Sequence, residues 1–212
     1  MKAQNPSYQA ILDQTLASLS AEKKPTLLLH ACCAPCSSYV LEYLSAYFHI
    51  TLFFYNPNIS PEEEYRFRLC ELSRLVDEMG LSDSVSILEG RYEPARFEEL
   101  CRGLEELPEG GSRCEGCYRL RLAETARMAA EGGFDYFTTT LSISPYKNAD
   151  WLNAIGKEEG KRYGTAYLVS DFKKKNGYKR SCELSTQYGL YRQDYCGCIY
   201  SKNARKRQKE QA

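Results

Sequence analysis

No stretch of this chain approaches the roughly 18 consecutive apolar residues that a membrane-spanning helix needs, so a helical membrane protein is excluded. The opening residues Met1-Lys2-Ala3-Gln4-Asn5-Pro6 lack the charged-then-apolar build of a secretory signal, and a cytoplasmic location is expected. Net charge is also missing. The 28 Lys and Arg cancel the 28 Asp and Glu, so the chain does not adhere to polyanions over its whole surface. There is no internal repeat and no low-complexity linker; the 212 residues, 43% of them hydrophobic, suit one sizeable domain.

The charge is unevenly spread. Residues 171–212 hold 11 Lys and Arg against 4 Asp and Glu, and residues 1–170 hold 17 against 24. A basic C-terminal part on a neutral protein can touch a polyanion locally, or can simply be a solvated tail. Ten cysteines in a reducing compartment are poor candidates for structural disulfides and better ones for metal or redox chemistry.

Strand and helix patterns alternate. An amphipathic stretch over 8–19 precedes an apolar strand at 26–31, a helix at 37–48 and a β-rich run at 50–55. Ser60-Pro61-Glu62-Glu63 reads as a capping-box start to a helix that ends near Gly80. A strand at 84–88, helices at 94–104 and 115–131, a strand at 134–140, a helix at 148–163 and a strand at 165–169 follow. The Glu- and Gly-rich loop 105–113 is the expected flexible stretch. Strands separated by helices of this length predict an α/β fold, a mostly parallel sheet with helices on both faces.

Three thiols, Cys32, Cys33 and Cys36, directly follow the first strand, where adjacent oxidisable side chains make no sense as packing. Ligands gather at the carboxyl ends of parallel strands. The segments after the next strands, Tyr55-Asn56-Pro57-Asn58 and the run holding Ser142 and Ser144, converge on the same rim. Cys36 falls at a helix N-terminus, where the dipole favours thiolate. Cys114 and Cys117, at i and i+3, share a helix face, with Arg113, Arg119 and Arg121 nearby to offset thiolate charge. Five thiols in two groups exceed what one zinc needs and suit an iron–sulfur cluster with one to spare, although a structural zinc with an idle thiol has the same spacing.

Cys196-Gly197-Cys198 places two thiols one residue apart, closing only into a strained, easily reduced ring suited to electron relay; two idle thiols are the plainer reading. Cys70 reads as core, and His30 as a satisfied, partly buried residue outside the metal site. The segment 171–180, with Lys173, Lys174, Lys175, Lys179 and Arg180 around two aromatics, has the composition of a single-stranded nucleic-acid surface.

Six strings then carry a resemblance: Leu29-His30-Ala31-Cys32-Cys33-Ala34-Pro35-Cys36, residues 55–59, Arg113-Cys114-Glu115-Gly116-Cys117, residues 139–148, residues 171–175, and residues 190–198 ending in Cys-Gly-Cys. In this order, across residues 26–202, the chain resembles the QueH-type epoxyqueuosine reductases. The resemblance implies an α/β fold of the adenine nucleotide α-hydrolase (HUP-like) type and a 4Fe-4S cluster beside a mononuclear iron. It further implies a tRNA substrate and reduction of epoxyqueuosine to queuosine at the wobble position, without cobalamin. Carried over, Cys32, Cys33, Cys114 and Cys117 are metal ligands, and Cys36, where the family has cysteine or aspartate, holds iron. Cys196 and Cys198 supply or relay electrons. Tyr55, Asn56 and Asn58, or Ser142 and Ser144, are candidates to orient the base, and Lys173, Lys174, Lys175 and Arg180 to line the anticodon path. An electron donor, of ferredoxin or flavodoxin type, is also expected.

This reading divides the chain into an N-terminal helical extension (1–25), one catalytic α/β domain with the metal site (26–201) and a basic tail (202–212). A zinc-stabilised nucleic-acid-binding module is the alternative without catalysis. A thiolation or pyrophosphatase-like enzyme would want a Gly/Ser-rich phosphate loop where Cys-Cys-Ala-Pro-Cys stands, and that absence argues against ATP use.

Overall fold

The computed structural model describes residues 7–20 and 23–211; the expectation for the opening six residues lies outside them. The elements run α1 (Tyr8–Ser18), β1 (Thr26–His30), α2 (Ala34–Leu44), β2 (His49–Phe54), α3 (Glu62–Glu78), β3 (Val85–Glu89), α4 (Pro94–Cys101) and α5 (Ser112–Glu131). They continue with β4 (Tyr136–Thr139), a 3-10 turn (Thr140–Ile143), α6 (Ala149–Tyr163), β5 (Ala166–Tyr167), α7 (Gly177–Gln187) and α8 (Ile199–Glu210). The five strands make one parallel sheet in the order β3-β2-β1-β4-β5.

The period-2 alternation of the strands sorts their side chains into two cores. Leu27 and Leu29 of β1 with Ile50, Leu52 and Phe54 of β2 face α1, α2 and α3. Leu28, Phe53 and Phe137 face α5 and α6 on the other side. A parallel sheet covered on both faces needs near-continuous apolar strands, and Leu27-Leu28-Leu29 supplies the central one. Right-handed crossovers explain the division: winding from β1 to β3 places helices on one face, and winding the other way to β4 and β5 places them on the opposite face. The α/β build with helices on both faces is therefore as expected. Leu12 and Leu16 make α1 part of the first core.

Local expectations needed correction in several places. α3 starts at Glu62 with no side-chain cap, and its first turn relies on Glu62, Glu63 and Glu64 against the helix dipole. Ser60 is engaged elsewhere: its N–H donates to the carbonyl of Gly197 at 3.1 Å. β5 is only two residues long because Asn153 takes both backbone groups of Ser170, with bonds of 2.9 and 3.0 Å, and draws the chain out of the sheet. Cys70 is exposed rather than core. The buried stripe of α3 is Tyr65, Arg68, Leu72, Leu75 and Val76, and Cys70 falls on the opposite side at about 100° per residue. The loop 105–113 is anchored by Arg113, whose Nη1 donates to the carbonyls of Leu104, Glu105 and Leu107 at 2.9, 2.8 and 2.7 Å. The basic stretches contain helices: α7 packs on α2, and α8 covers the segment read as a tail.

Candidate active site: two thiol groups joined through buried arginines

β1 and β4 are hydrogen-bonded neighbours whose outgoing chains leave in opposite directions, so the sheet's switch point lies at their carboxyl ends. The fully buried His30 ties that edge together. Its ring nitrogens meet Thr139 Oγ1 at 2.8 Å and the carbonyl of Tyr55 at 3.1 Å, and burial depresses its pKa to about 3, so it is neutral. With both nitrogens engaged, it is not a metal ligand. Asn56 Nδ2 donates to the Ala31 carbonyl at 2.9 Å, lashing the loop after β2 to the cysteine loop.

The Sγ atoms of Cys32, Cys33 and Cys36 lie within 4.8 Å of one another, Cys32 and Cys33 being 3.7 Å apart. Thr140 accepts from the Cys32 N–H at 3.4 Å and places its Oγ1 3.7 Å from the Cys32 sulfur. Cys33 receives hydrogen bonds from Cys32 and Cys36 and faces Arg68, so its thiol sits well below the ordinary range. Donating to that neighbour pushes Cys32 up to about 12, and Cys36 is raised well above its ordinary value by both neighbours. Within this group the two neighbouring thiols and the Arg68 guanidinium favour the thiolate at Cys33.

A second group surrounds an adjoining pocket lined by Cys114, Cys117, Cys196 and Cys198 together with Asn58 and Lys147. Cys117 is pushed up to about 12 by burial. Cys198 starts α8 and accepts from the Ser201 N–H at 3.4 Å, while Ser201 Oγ accepts from the Cys196 N–H at 3.1 Å. Phe97, Cys101, Cys117 and Cys198 pack together and hold α4, α5 and the start of α8 around this pocket.

Two arginines join the groups. Arg121, 1% exposed, donates from Nε to the Cys117 carbonyl at 3.2 Å and lies close to the sulfurs of Cys117, Cys196 and Cys32. Arg68, 2% exposed, bonds Glu64 at 2.8 Å and the Cys196 carbonyl at 3.3 Å, and faces Cys33. Each keeps one buried Nη2 without a partner. Of the three arginines expected to offset thiolate charge, Arg121 acts on the pocket sulfurs and Arg113 lines the same pocket. Arg113 serves its loop, and Arg119 pairs with Glu158 and Glu159 of α6. Arg68 was not foreseen, because it lies 128 residues from Cys196. Lys147 was also missed. It is buried in the pocket with Nζ 3.0 Å from Glu109; burial opposes its charge, but Cys196, Tyr118 and Glu109 outweigh it and keep it protonated.

The remaining candidates are dispersed. Asn58 reaches the pocket with a buried, unpartnered Oδ1. The Tyr55 hydroxyl donates to Glu93 at 3.2 Å and accepts from Arg96 at 2.9 Å. Ser142 Oγ meets Ser170 Oγ at 3.1 Å and accepts from the Phe172 N–H, and Ser144 Oγ accepts from the Tyr146 N–H at 3.3 Å. Lys173 pairs with Asp171, Lys175 with Asp13, and Arg180 with Glu42 and Glu183. Lys174 is exposed and has no ion pair among the described residues.

Clustered thiols and buried cations lie at the switch point of a parallel α/β sheet, where such folds bind ligands, and Cys32, Cys33 and Cys36 could together hold a metal ion. The family model described as "Epoxyqueuosine reductase QueH" matches residues 27–204, and the chain belongs to that family. It is similar to the epoxyqueuosine reductase QueH of Streptococcus pyogenes serotype M1, 45% identical over 201 residues that cover 93% of this chain and 79% of that protein. The protein of the same name from Staphylococcus epidermidis is 41% identical, covering 95% and 87%. That of Thermotoga maritima is 36% identical, covering 83% and 90%.

Proposed function

We propose that this chain reduces epoxyqueuosine to queuosine at the wobble position of tRNA, removing the epoxide oxygen with two electrons and two protons and releasing water. Family membership over most of the chain carries the reading. The three thiols at the switch point give it a chemical site. Among the described residues no helix is long and apolar enough to cross a membrane, and we place the enzyme in the cytoplasm, where tRNA and reducing partners of ferredoxin or flavodoxin type are found.

The donor set fits a metal–sulfur centre. Three sulfurs lie mutually close, four more cysteines line the pocket that Arg121 shares, and two buried guanidinium groups, each with a free donor, lie between the groups. Glu64 answers Arg68, but Arg121 has no carboxylate partner among the described residues, and a buried cation of that kind is costly unless a negative centre answers it. Cys32, Cys33, Cys114 and Cys117 would hold a 4Fe-4S cluster and Cys36 a mononuclear iron. Bound there, the pair supplies electrons and a Lewis acid for the epoxide oxygen. The chain's own residues do the rest. Cys196 and Cys198, on becoming a disulfide, release two electrons and two protons, which matches the demand of the deoxygenation, and the external donor restores the dithiol. Lys147 Nζ, oriented by Glu109, holds positive charge in the pocket where negative charge develops on oxygen. Asn58 offers an unpartnered acceptor to the modified base. The target base must leave the anticodon stack to reach the pocket. Lys173, Lys174, Lys175 and Arg180 are proposed along its path, Lys174 being the one that needs to give up no ion pair.

The test is oxygen-free protein assayed on epoxyqueuosine-containing tRNA, with iron and acid-labile sulfide measured per chain. Queuosine should form, with about four sulfides and four or five irons. Cys36→Ala should abolish turnover and keep most of the cluster absorbance; normal turnover in that variant would overturn the assignment of Cys36. One zinc without sulfide, and no queuosine, would instead support the non-catalytic binding module.

A further inference from the structure

The chain between the 3-10 turn and α6 turns sharply over Ser144. The Ser144 carbonyl accepts from the Lys147 N–H at 3.2 Å, and Ser144 Oγ accepts from the Tyr146 N–H at 3.3 Å. Neighbouring residues are thereby sent to opposite sides. Lys147 is turned inward, onto Glu109 and into the thiol pocket. Tyr146 is turned outward and is 78% exposed; the next most exposed large apolar or aromatic side chain among the described residues, Phe67, reaches only 45%. Tyr146 thus directly precedes the residue that lines the pocket, its backbone about 3.8 Å from that of Lys147. Tyr178, also exposed, lies near enough to sense Tyr146, with Arg192 beside it, and Lys174 and Lys179 are exposed on the same segment as Tyr178.

An aromatic face left in water has no stabilising role within the fold. It does have one for a single-stranded nucleic acid. When one base is drawn into the pocket, its neighbour loses a stacking partner, and an exposed ring beside the opening can replace it. The surrounding cations suit the phosphates of that strand and not an apolar protein partner.

Resting on the tRNA reading above, we infer that Tyr146 is the stacking platform for the nucleotide next to the one that enters the pocket, with Tyr178 and Arg192 extending the same surface. Tyr146 is then a residue that sets affinity and context preference for the anticodon loop.

The experiment uses the complete protein, an anticodon stem-loop carrying epoxyqueuosine, and the same stem-loop unmodified. Tyr146→Ala, an exposed change with little effect on folding, should raise the Kd for both RNAs by about five- to a hundred-fold. KM should rise by a similar factor, while kcat changes far less. Tyr146→Phe should restore binding. Because stacking releases no counterions, the dependence of Kd on salt should keep its slope. Replacing the neighbouring base by an abasic site should weaken wild-type binding by a similar factor and should weaken Tyr146→Ala hardly further. Unchanged Kd and KM, or full additivity of the two losses, would overturn the inference. Loss of binding in Tyr146→Ala from a wild-type protein that binds RNA but makes no queuosine would uphold the platform and sink the catalytic reading. No RNA binding by wild type would overturn both.

Discussion

Gly197, between Cys196 and Cys198, has φ of +114°, a conformation that side-chain-bearing residues avoid. An alanine there carries a backbone cost on the order of 1–3 kcal/mol. Its Cβ would also stand 2.9 Å from Arg68 Nη1 and 3.1 Å from Ile59 Cγ1. Arg68 has no freedom to swing aside, since Glu64 holds its Nε at 2.8 Å, the Cys196 carbonyl holds Nη1 at 3.3 Å, and the side chain is buried. Overpacking of this type costs about 1–3 kcal/mol more. Gly197→Ala should therefore lose about 2–6 kcal/mol, a large share of the roughly 5–15 kcal/mol that holds a domain folded. Ser60 donates to the Gly197 carbonyl at 3.1 Å, so the displacement should reach the start of α3 as well as both thiols. Urea unfolding of the reduced, metal-free protein reads the stability, and conversion of epoxyqueuosine in the loaded enzyme reads the thiol placement. Gly189→Ala is the control: φ is +55° and its Cβ meets nothing within 4 Å, so only the backbone cost, about 1–2 kcal/mol, applies. If Gly197→Ala unfolds alongside Gly189→Ala and turns over at the wild-type rate, the packing of the Cys-Gly-Cys segment under Arg68 is wrong.

Asn153→Ala should strand the N–H and carbonyl of Ser170 in the interior, at about 1–3 kcal/mol for each group, and loosen the basic segment that follows. An unchanged urea midpoint would refute that cost. Asp135 accepts from the N–H and hydroxyl of Thr26 at 2.8 and 2.9 Å, and these bonds, backbone first, hold its carboxyl below the usual range. Its contribution is therefore present above the ordinary carboxylate pKa of about 4 and is lost as pH falls through the depressed value. Asp135→Asn should flatten the acid limb of the stability profile, and identical limbs for the two proteins would contradict the assignment.

Much of the fold was legible because its signals are local. Leu27-Leu28-Leu29 reads as a buried strand, and the helix expected over 148–163 runs Ala149–Tyr163, with Asn148 found to cap it through bonds from the N–H groups of Asp150 and Trp151. α7 was illegible for a local reason too: Asn176-Gly177 announces a turn, with Lys175 and Asn176 at φ of +50° and +63°, while the helix after it is justified by packing on α2. α8 is too polar to declare itself.

Sequence alone determined the family and the parallel α/β class and singled out the clustered cysteines, because side-by-side thiols and a fixed order of motifs survive without coordinates. Tertiary structure alone decided which charges serve them. Arg113, Arg119 and Arg121 look alike in a string, yet their partners are loop carbonyls, two glutamates of α6 and buried sulfurs. Arg68 and Lys147 read as surface cations until the fold buries them beside Cys33 and Cys196. Electrostatics falls off over a few ångströms, and which groups come that close depends on how β1, β4 and the distant Cys-Gly-Cys segment are folded together.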